Sequence, residues 1–421
     1  MRPEELTYPG RDGAFSDGVC ASAAEVADDS GERLGAAELL HQRADRSALH
    51  PLGTERDDFL SSRSLFSVSQ RRFEYEGVKY DKPRFERNEI DAAGERLRLH
   101  DLDEKSVEII NNHRASHSYP LLIFRTVLTR RAPEAAVIAQ RLKRLSSIQF
   151  KLEHNRRVRL STIQDVGGCR AVLPSVGSAR KLFDAYLSGS SKSKFLWKQD
   201  YVTEPRSVSG YRGFHLIYEF HGIEKAYNGL KLEIQLRSKP QHAWATAVET
   251  VGAFTKQALK SNIGDPGWVE FFKLMSSYMA LEEHCPCVEG TPTTKRKLKA
   301  VIREHANDLK VIENLTYFGQ ITSDLETNPI FKVHGRKKAT YFLLELRPAE
   351  RQIFVAPYEA HDLGRAEADY LVAERRIFEG QNGGAEAVLV SATTIRDLKK
   401  AYPNYFGDTK VFIDQLGDAL A

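Results

Sequence analysis

Residues 163–173 read IQDVGGCRAVL, and residues 214–220 and 230–237 read FHLIYEF and LKLEIQLR. The first is a short apolar run entered through an acid and two glycines, the signature of a buried strand. The other two alternate. His215 and Glu219 oppose Phe214, Leu216, Tyr218 and Phe220, while Glu233, Gln235 and Arg237 oppose Leu232, Ile234 and Leu236. A period of two sets one face of each strand on a core and leaves the other for polar chemistry. Helical spacing over residues 179–187 and a strand over 195–202 lie between them. A long helix is predicted after Pro240, with Trp244, Val248 and Val251 on an apolar stripe and His242, Thr246 and Glu249 on another face. Strands interleaved with helices indicate an α/β (α+β) fold, a mixed sheet flanked by helices.

Outward from this centre the pattern becomes helical. Residues 84–112 carry Ile90, Ala93, Leu97, Val107, Ile109 and Ile110 at helical spacing. A further helix is predicted after Pro133, placing Val137, Ile138, Leu142 and Leu145 together and Arg141, Lys143 and Arg144 elsewhere. Downstream, helices over 268–283 and 295–315 flank a linker at 285–294. Beyond Gly319 a hairpin (340–346 and 352–356), a helix (363–376), a strand (387–390) and a helix (393–401) are expected. The predicted organisation is a disordered arm (1–75), a main domain with N-terminal helices (76–290), a helical connector (291–320) and a smaller α+β accessory or regulatory domain (321–421).

The 421 residues are 41% hydrophobic and 28% charged, with a net charge of +4. So mild an excess argues against bulk coating of nucleic acid, while local basic patches remain available. No apolar run reaches the length of a membrane span and no apolar signal core opens the chain, so a soluble cytoplasmic protein with no membrane partner is expected. Cys20, Cys169, Cys285 and Cys287 are too few and scattered for a disulfide framework or a zinc site. Cys285-Pro-Cys287 reads as a helix-end loop.

The polar residues of the central strands suit a phosphate-handling site. Asp165, beside Gly167-Gly168, and Glu233, on the polar face of its strand, are two carboxylates able to share a magnesium ion or take a proton from a hydroxyl. Either alone reads as a solvated strand-end acid; together with clustered cations they suggest chemistry. Arg141, Lys143, Lys151 and Arg170 supply fixed positive charge of the kind a triphosphate needs. Arg156-Arg157-Val158-Arg159 reads as a basic surface or a contact for a polyanion. Tyr211, between Gly210 and the Arg212-Gly213 pair, is expected to be exposed enough to stack on a base. His215 and His242 are candidate partners of phosphate or ribose.

Four runs carry a resemblance: RLKRLSSIQFKL, IQDVGGCRAV, KQDYVTEPRSVSGYRGFHLIYEF and LEIQLRSKPQHAWATAVE. Together, over residues 141–249, they resemble the synthetase domain of the RelA/SpoT family of alarmone synthetases. The resemblance implies a nucleotidyltransferase-like fold and transfer of the ATP β,γ-pyrophosphate to a ribose 3′-hydroxyl, with Mg2+ as cofactor. It implies that Asp165 and Glu233 bind the metal, Glu233 otherwise activating the hydroxyl. Arg141, Lys143, Lys151 and Arg170 are then ATP ligands, and Tyr211, His215, Gln235, Arg237 and Arg206 face the acceptor, with His242 and Glu249 near. The family's Tyr-Arg-Ser-Leu-His run stands here as Tyr211-Arg212-Gly213-Phe214-His215, and Arg206 stands where lysine is common. Both departures surround the acceptor. GDP or GTP is the leading acceptor and the product a (p)ppGpp alarmone of the stringent response. The alternative is a toxin of toxin-antitoxin type modifying the 3′ end of tRNA or adenine nucleotides, in phage defence, with the C-terminal domain as inhibitor or sensor. A third reading is an inactive nucleotide- or RNA-binding module. A homo-oligomer and a protein regulator acting through the C-terminal domain are further partners to test. The family's hydrolase half carries a histidine and His-Asp metal cluster before the synthetase; His100-Asp101 lacks a partner cluster and His361-Asp362 lies on the wrong side, so no hydrolase activity is expected.

Overall fold

The computed structural model describes residues 80–255, 259, 264–323, 339–347, 352–378, 385–392, 395–406 and 408–421. The arm expected over 1–75 lies outside them. Three helices come first: α1 (Arg87–Arg98), α2 (Glu104–Ala115) and α3 (Ser118–Arg131). The helical pattern read over 84–112 is therefore two helices, broken where His100 takes a left-handed φ of 55°. Asp103 restarts the chain by accepting from the Ser106 amide, a side-chain cap on α2.

The helix predicted after Pro133 is instead a strand and a later helix, β1 (Val137–Leu142) and α4 (Leu145–His154). The β-branched pair Val137-Ile138 pairs in register with Val172 and Ala171 of β2 (Gly167–Leu173), and that non-local ladder overrides the local spacing. Then follow α5 (Val176–Ser188), β3 (Lys194–Asp200), β4 (Phe214–Glu219), β5 (Lys231–Ser238), α6 (Lys239–Thr255), α7 (Pro266–Glu282), α8 (Lys295–Asp308) and α9 (Val311–Ser323). The single helix expected over 295–315 breaks at Lys310, whose φ is 47°. The last elements are β6 (Tyr341–Arg347), β7 (Gln352–Tyr358), α10 (Leu363–Phe378), β8 (Glu386–Ser391), α11 (Ile395–Ala401) and α12 (Lys410–Leu420). The last of these has no counterpart in the sequence reading.

The strands form one mixed sheet of order β3-β4-β5-β2-β1-β8-β6-β7. Only β2 and β5 among these pairs run parallel. One face of its central strands packs Cys169, Ala171, Phe214, Leu216, Ile234 and Leu236 against Leu121, Phe124 and Leu128 of α3 and Phe183 of α5. The opposite face carries Gly168, Arg170, His215, Glu233, Gln235 and Arg237 and is left for the site. Beyond β1 the sheet continues into the C-terminal strands, with β8 pairing Gln140 with Ser391 and Arg141 with Val390. An unpaired β1 edge would expose a row of open backbone groups, and β8 covers it. Further on, α12 buries Phe412, Leu416 and Ala419 completely, with Phe412 centred 5.7 Å from Phe272 of α7. Among the described residues no helix is long and apolar enough to cross a membrane.

Candidate active site

A cavity of about 460 Å³ opens over the polar face of β2, β4 and β5, within the size range of small-molecule sites (~300–1,000 Å³). Arg141, Lys143, Lys151, Asp165, Arg206, Tyr211, His215, Glu233, Gln235, Arg237 and Glu249 all line it. The register explains the convergence. Gly168 stands opposite Glu233, Arg170 opposite Gln235, and Gln235 opposite His215. Arg170 lines a smaller recess of about 30 Å³ shared with Asp165, Gly168 and Glu233. His242 lines neither. It is buried on α6 with Nε2 3.3 Å from the Lys400 carbonyl, and burial, with Arg170 and Arg237 near, lowers its pKa to about 3. Its expected approach to phosphate or ribose is therefore not realised here, since the first turn of α6 points it at α11 and not at the cavity.

Asp165 leads into β2 and accepts from two ammonium groups, Lys143 Nζ at 2.6 Å and Lys151 Nζ at 3.1 Å. Burial by itself would raise the Asp165 carboxyl, but the two lysines outweigh it and hold it well below the usual carboxylate range. The lysines arrive from different elements. The Lys143 amide donates to the Val166 carbonyl at 2.8 Å, which ties the end of β1 to the approach of β2, and Lys151 projects from the last turn of α4. Glu233 accepts from His215 Nδ1 at 2.6 Å and from Gln235 Nε2 at 2.5 Å. Burial and the charge of Asp165 oppose its ionisation; His215 and Gln235 prevail, and its pKa is lowered.

Two ionised carboxylates beside one recess suit a hard cation such as Mg2+. A Cβ built at Gly168 would stand 4.0 Å from Glu233 Oε2, so the absent side chain keeps the approach to that carboxylate open. Among the described residues no group of three or more His, Cys, Asp or Glu is arranged to hold a metal by itself. The remaining ligands would come from phosphate oxygens and water, the usual arrangement for magnesium bound with a nucleotide.

Part of the cationic wall has no carboxylate among the described residues in ion-pair contact, although Glu249 acts on Arg170 from further away. Among the described residues none of Arg141, Arg170 and Arg237 has a carboxylate within 4.0 Å. Arg237 is 1% exposed and Arg170 8%. Burial, then the neighbouring charges of Arg237 and Arg141, lowers the Arg170 pKa to about 10. Buried positive charge out of ion-pair contact with a carboxylate is costly, and an anion bound beside it would relieve it.

Tyr211 is not the exposed stacking platform that its glycine neighbours suggest. It is 4% exposed, its ring packs on Trp244 of α6 and Tyr201, and its hydroxyl is held by Arg237 and His215. Gly210 and Gly213 allow this. Their φ values are 76° and 150°, and a Cβ at Gly213 would come within 3.2 Å of the Tyr211 hydroxyl. The departure from the serine of the family run thus makes room for that hydroxyl. Arg212 anchors the same loop by donating to Ser276 Oγ at 3.1 Å and to the Val202 carbonyl at 3.1 Å.

Other lining residues escaped the sequence reading. Tyr201 is half-buried at the wall, Arg206 lies over its ring and donates to its hydroxyl at 2.6 Å. Trp197 donates to Gln164 at 2.6 Å, beside Asp165, and Phe150 lines the wall on the α4 side. Strand alternation could have singled out Trp197. Glu386 and Asn404 line the cavity from the C-terminal elements, and no local signal marks them.

Residues 140–256 match the family model described as a region found in RelA / SpoT proteins. This segment is a RelA/SpoT domain. The matched residues run from within β1 through the whole of α6 and so include the strands that build the cavity. Among solved structures the chain is similar to the small alarmone synthetase 2 from Bacillus subtilis, with 19% identity, 41% of this chain and 93% of that one covered, and a TM-score of 0.36. It is also similar to the small alarmone synthetase 1 from the same organism bound to its product pppGpp (18%, 39% and 84%, TM-score 0.32). A GTP pyrophosphokinase family protein from Streptococcus pneumoniae gives 17% identity, 42% and 87% coverage, and a TM-score of 0.32. No curated protein sequence matches the chain. The elements from α7 onward lie outside the matched RelA/SpoT region.

Proposed function

We propose that this chain transfers the β,γ-pyrophosphate of ATP to the 3′-hydroxyl of GDP or GTP in a magnesium-dependent reaction. The observation that carries the reading is one cavity, inside the RelA/SpoT region, holding two ionised carboxylates and a wall of lysines and carboxylate-free arginines. Arg141 and Arg170 would hold the ATP phosphates, joined by Lys143 and Lys151 as the nucleotide displaces them from Asp165. Such charges stabilise the transferring group through position alone, without reorganisation. Asp165 and Glu233 would hold magnesium, which when bound neutralises phosphate charge. Glu233 also stands ready to accept the proton of the attacking 3′-hydroxyl as its oxygen bonds to the β-phosphorus and AMP leaves. Tyr201 and Arg206 supply a half-buried aromatic and a cation for the acceptor base and phosphates.

The test is an incubation with γ-labelled ATP, magnesium and, in parallel, GDP, GTP, ADP or deacylated tRNA. Label on GDP or GTP is the expected result. Label on tRNA or ADP alone would replace the acceptor while keeping the chemistry. Absence of label in every arm, with nucleotide bound, would overturn the transferase reading.

A further inference from the structure

The hydrogen bonds around Glu233 have a direction that donor and acceptor counting fixes. Arg237 places Nε 3.2 Å and Nη2 3.0 Å from the Tyr211 hydroxyl oxygen. A guanidinium only donates, so the hydroxyl accepts both bonds and its two lone pairs are filled. Its own hydrogen must point elsewhere, and His215 Nε2 lies 2.7 Å away. That nitrogen therefore accepts, which puts the ring hydrogen on Nδ1. Nδ1 in turn donates to Glu233 Oε1 at 2.6 Å. A second route reaches the other oxygen. Arg237 Nη2 and Arg170 Nε donate to Gln235 Oε1 at 3.1 and 3.4 Å, which orients the amide so that its Nε2 donates to Glu233 Oε2 at 2.5 Å.

We propose that His215 and Gln235 are positioning residues for Glu233, locked by Arg237 through two separate chains, and are not acceptor ligands. Each carboxylate oxygen receives one donor and keeps a lone pair for the cavity. Holding both oxygens fixes the rotation of the carboxylate, and a group that meets a reacting hydroxyl must be held to within about 0.5 Å. His215 stands opposite Gln235 in the register, and Gly213 brings Tyr211 in to meet it. The inference rests on the transfer reading above, in which Glu233 meets the acceptor hydroxyl.

The test compares His215→Leu, His215→Asn and Tyr211→Phe in the full chain. An asparagine amide can take the place of Nδ1–H and still donate to Glu233. His215→Leu is expected to lower kcat about 10–100-fold, the usual range for loss of an orienting partner, with KM for the acceptor unchanged. His215→Asn should recover most of that loss. Equal loss in both variants, or a change confined to KM for the acceptor, would overturn the proposal, the latter by making His215 a ligand. A second readout needs no turnover. Side-chain 15N NMR of histidine-labelled protein, assigned by the signal missing in His215→Asn, should find His215 in the Nδ1–H form, with the Nε2–H form gaining population in Tyr211→Phe. A wild-type ring in the Nε2–H form overturns the chain of bonds even if transfer is fast. The Nδ1–H form in a protein that transfers to no acceptor would uphold the chain and refute the transfer reading instead.

Discussion

Replacing Glu374 by leucine should cost about 3–5 kcal/mol, the penalty for leaving a buried charge without its partner. Glu374 of α10 is 6% exposed and Arg114 of α2 is 1% exposed. The carboxylate accepts Arg114 Nη1 at 2.6 Å and Nη2 at 3.0 Å, the Tyr370 hydroxyl at 2.6 Å and the Leu145 amide at 2.7 Å. Burial works against the charge on Arg114, and Glu374 more than offsets it, so the Arg114 pKa lies above its ordinary value. After the substitution the guanidinium keeps only the Lys143 carbonyl and the Tyr370 hydroxyl. The Leu145 amide, at the start of α4, also loses its acceptor, for roughly 1 kcal/mol more. Because α4 carries Lys151, transfer should fall along with stability. Urea unfolding gives the free energy, and the double variant Arg114→Met/Glu374→Leu should restore most of it, since an apolar pair of similar volume tends to break even with a buried ion pair. A single variant costing under about 1 kcal/mol, or a double variant no better than the single, would refute the reasoning.

Asp165→Asn should lower label transfer by at least on the order of 10²-fold, because Lys143 and Lys151 lose their common counter-ion and the proposed magnesium site would lose a charged oxygen; unchanged turnover would remove Asp165 from the site. Gly213→Ala should cost about 1–3 kcal/mol, from a φ of 150° and a Cβ 3.2 Å from the Tyr211 hydroxyl; an unaltered thermal midpoint would count against that packing. Glu367→Gln tests a pH dependence. Burial raises the Glu367 carboxyl from 4.5 to about 7, Ser118 opposing and Asp81 adding. The folded chain therefore holds a proton that the unfolded chain has lost, and wild-type stability falls as pH rises through that window. The glutamine variant should gain on wild type across the same window and level off above pH 7, by at most about 3 kcal/mol. A stability difference that does not change between pH 4.5 and 8 would refute the shift.

Much of the central sheet and most of the candidate site were legible because their signals are local. Alternation over Phe214–Glu219 and Lys231–Ser238 assigns each side chain a face without knowledge of its partners. Asp165, Glu233 and the cations Arg141, Lys143 and Lys151 stood out as charges on or beside apolar elements, and the fold gathers them at one cavity. Local spacing misled at β1, where Val137, Ile138 and Leu142 fit a helix as well as a strand. Pairing with β2 some thirty residues on, and with β8 some 250 residues on, decided between them. Glycine neighbours made Tyr211 look exposed, yet its burial depends on Trp244 and on Gly210 packing against Ser276.

By itself, then, the sequence determined the faces of β4 and β5, the family resemblance and most of the candidate site residues. Tertiary structure decided which groups meet. Lys143 and Lys151 share Asp165 only because β1 and α4 bracket the approach to β2. Glu386 and Asn404 reach the cavity only because β8 joins the edge of β1 and carries the C-terminal elements onto the same side of the sheet. Hydrogen bonds and ion pairs act over about 3 Å, and residues far apart in the chain come that close only once long-range pairing has been formed.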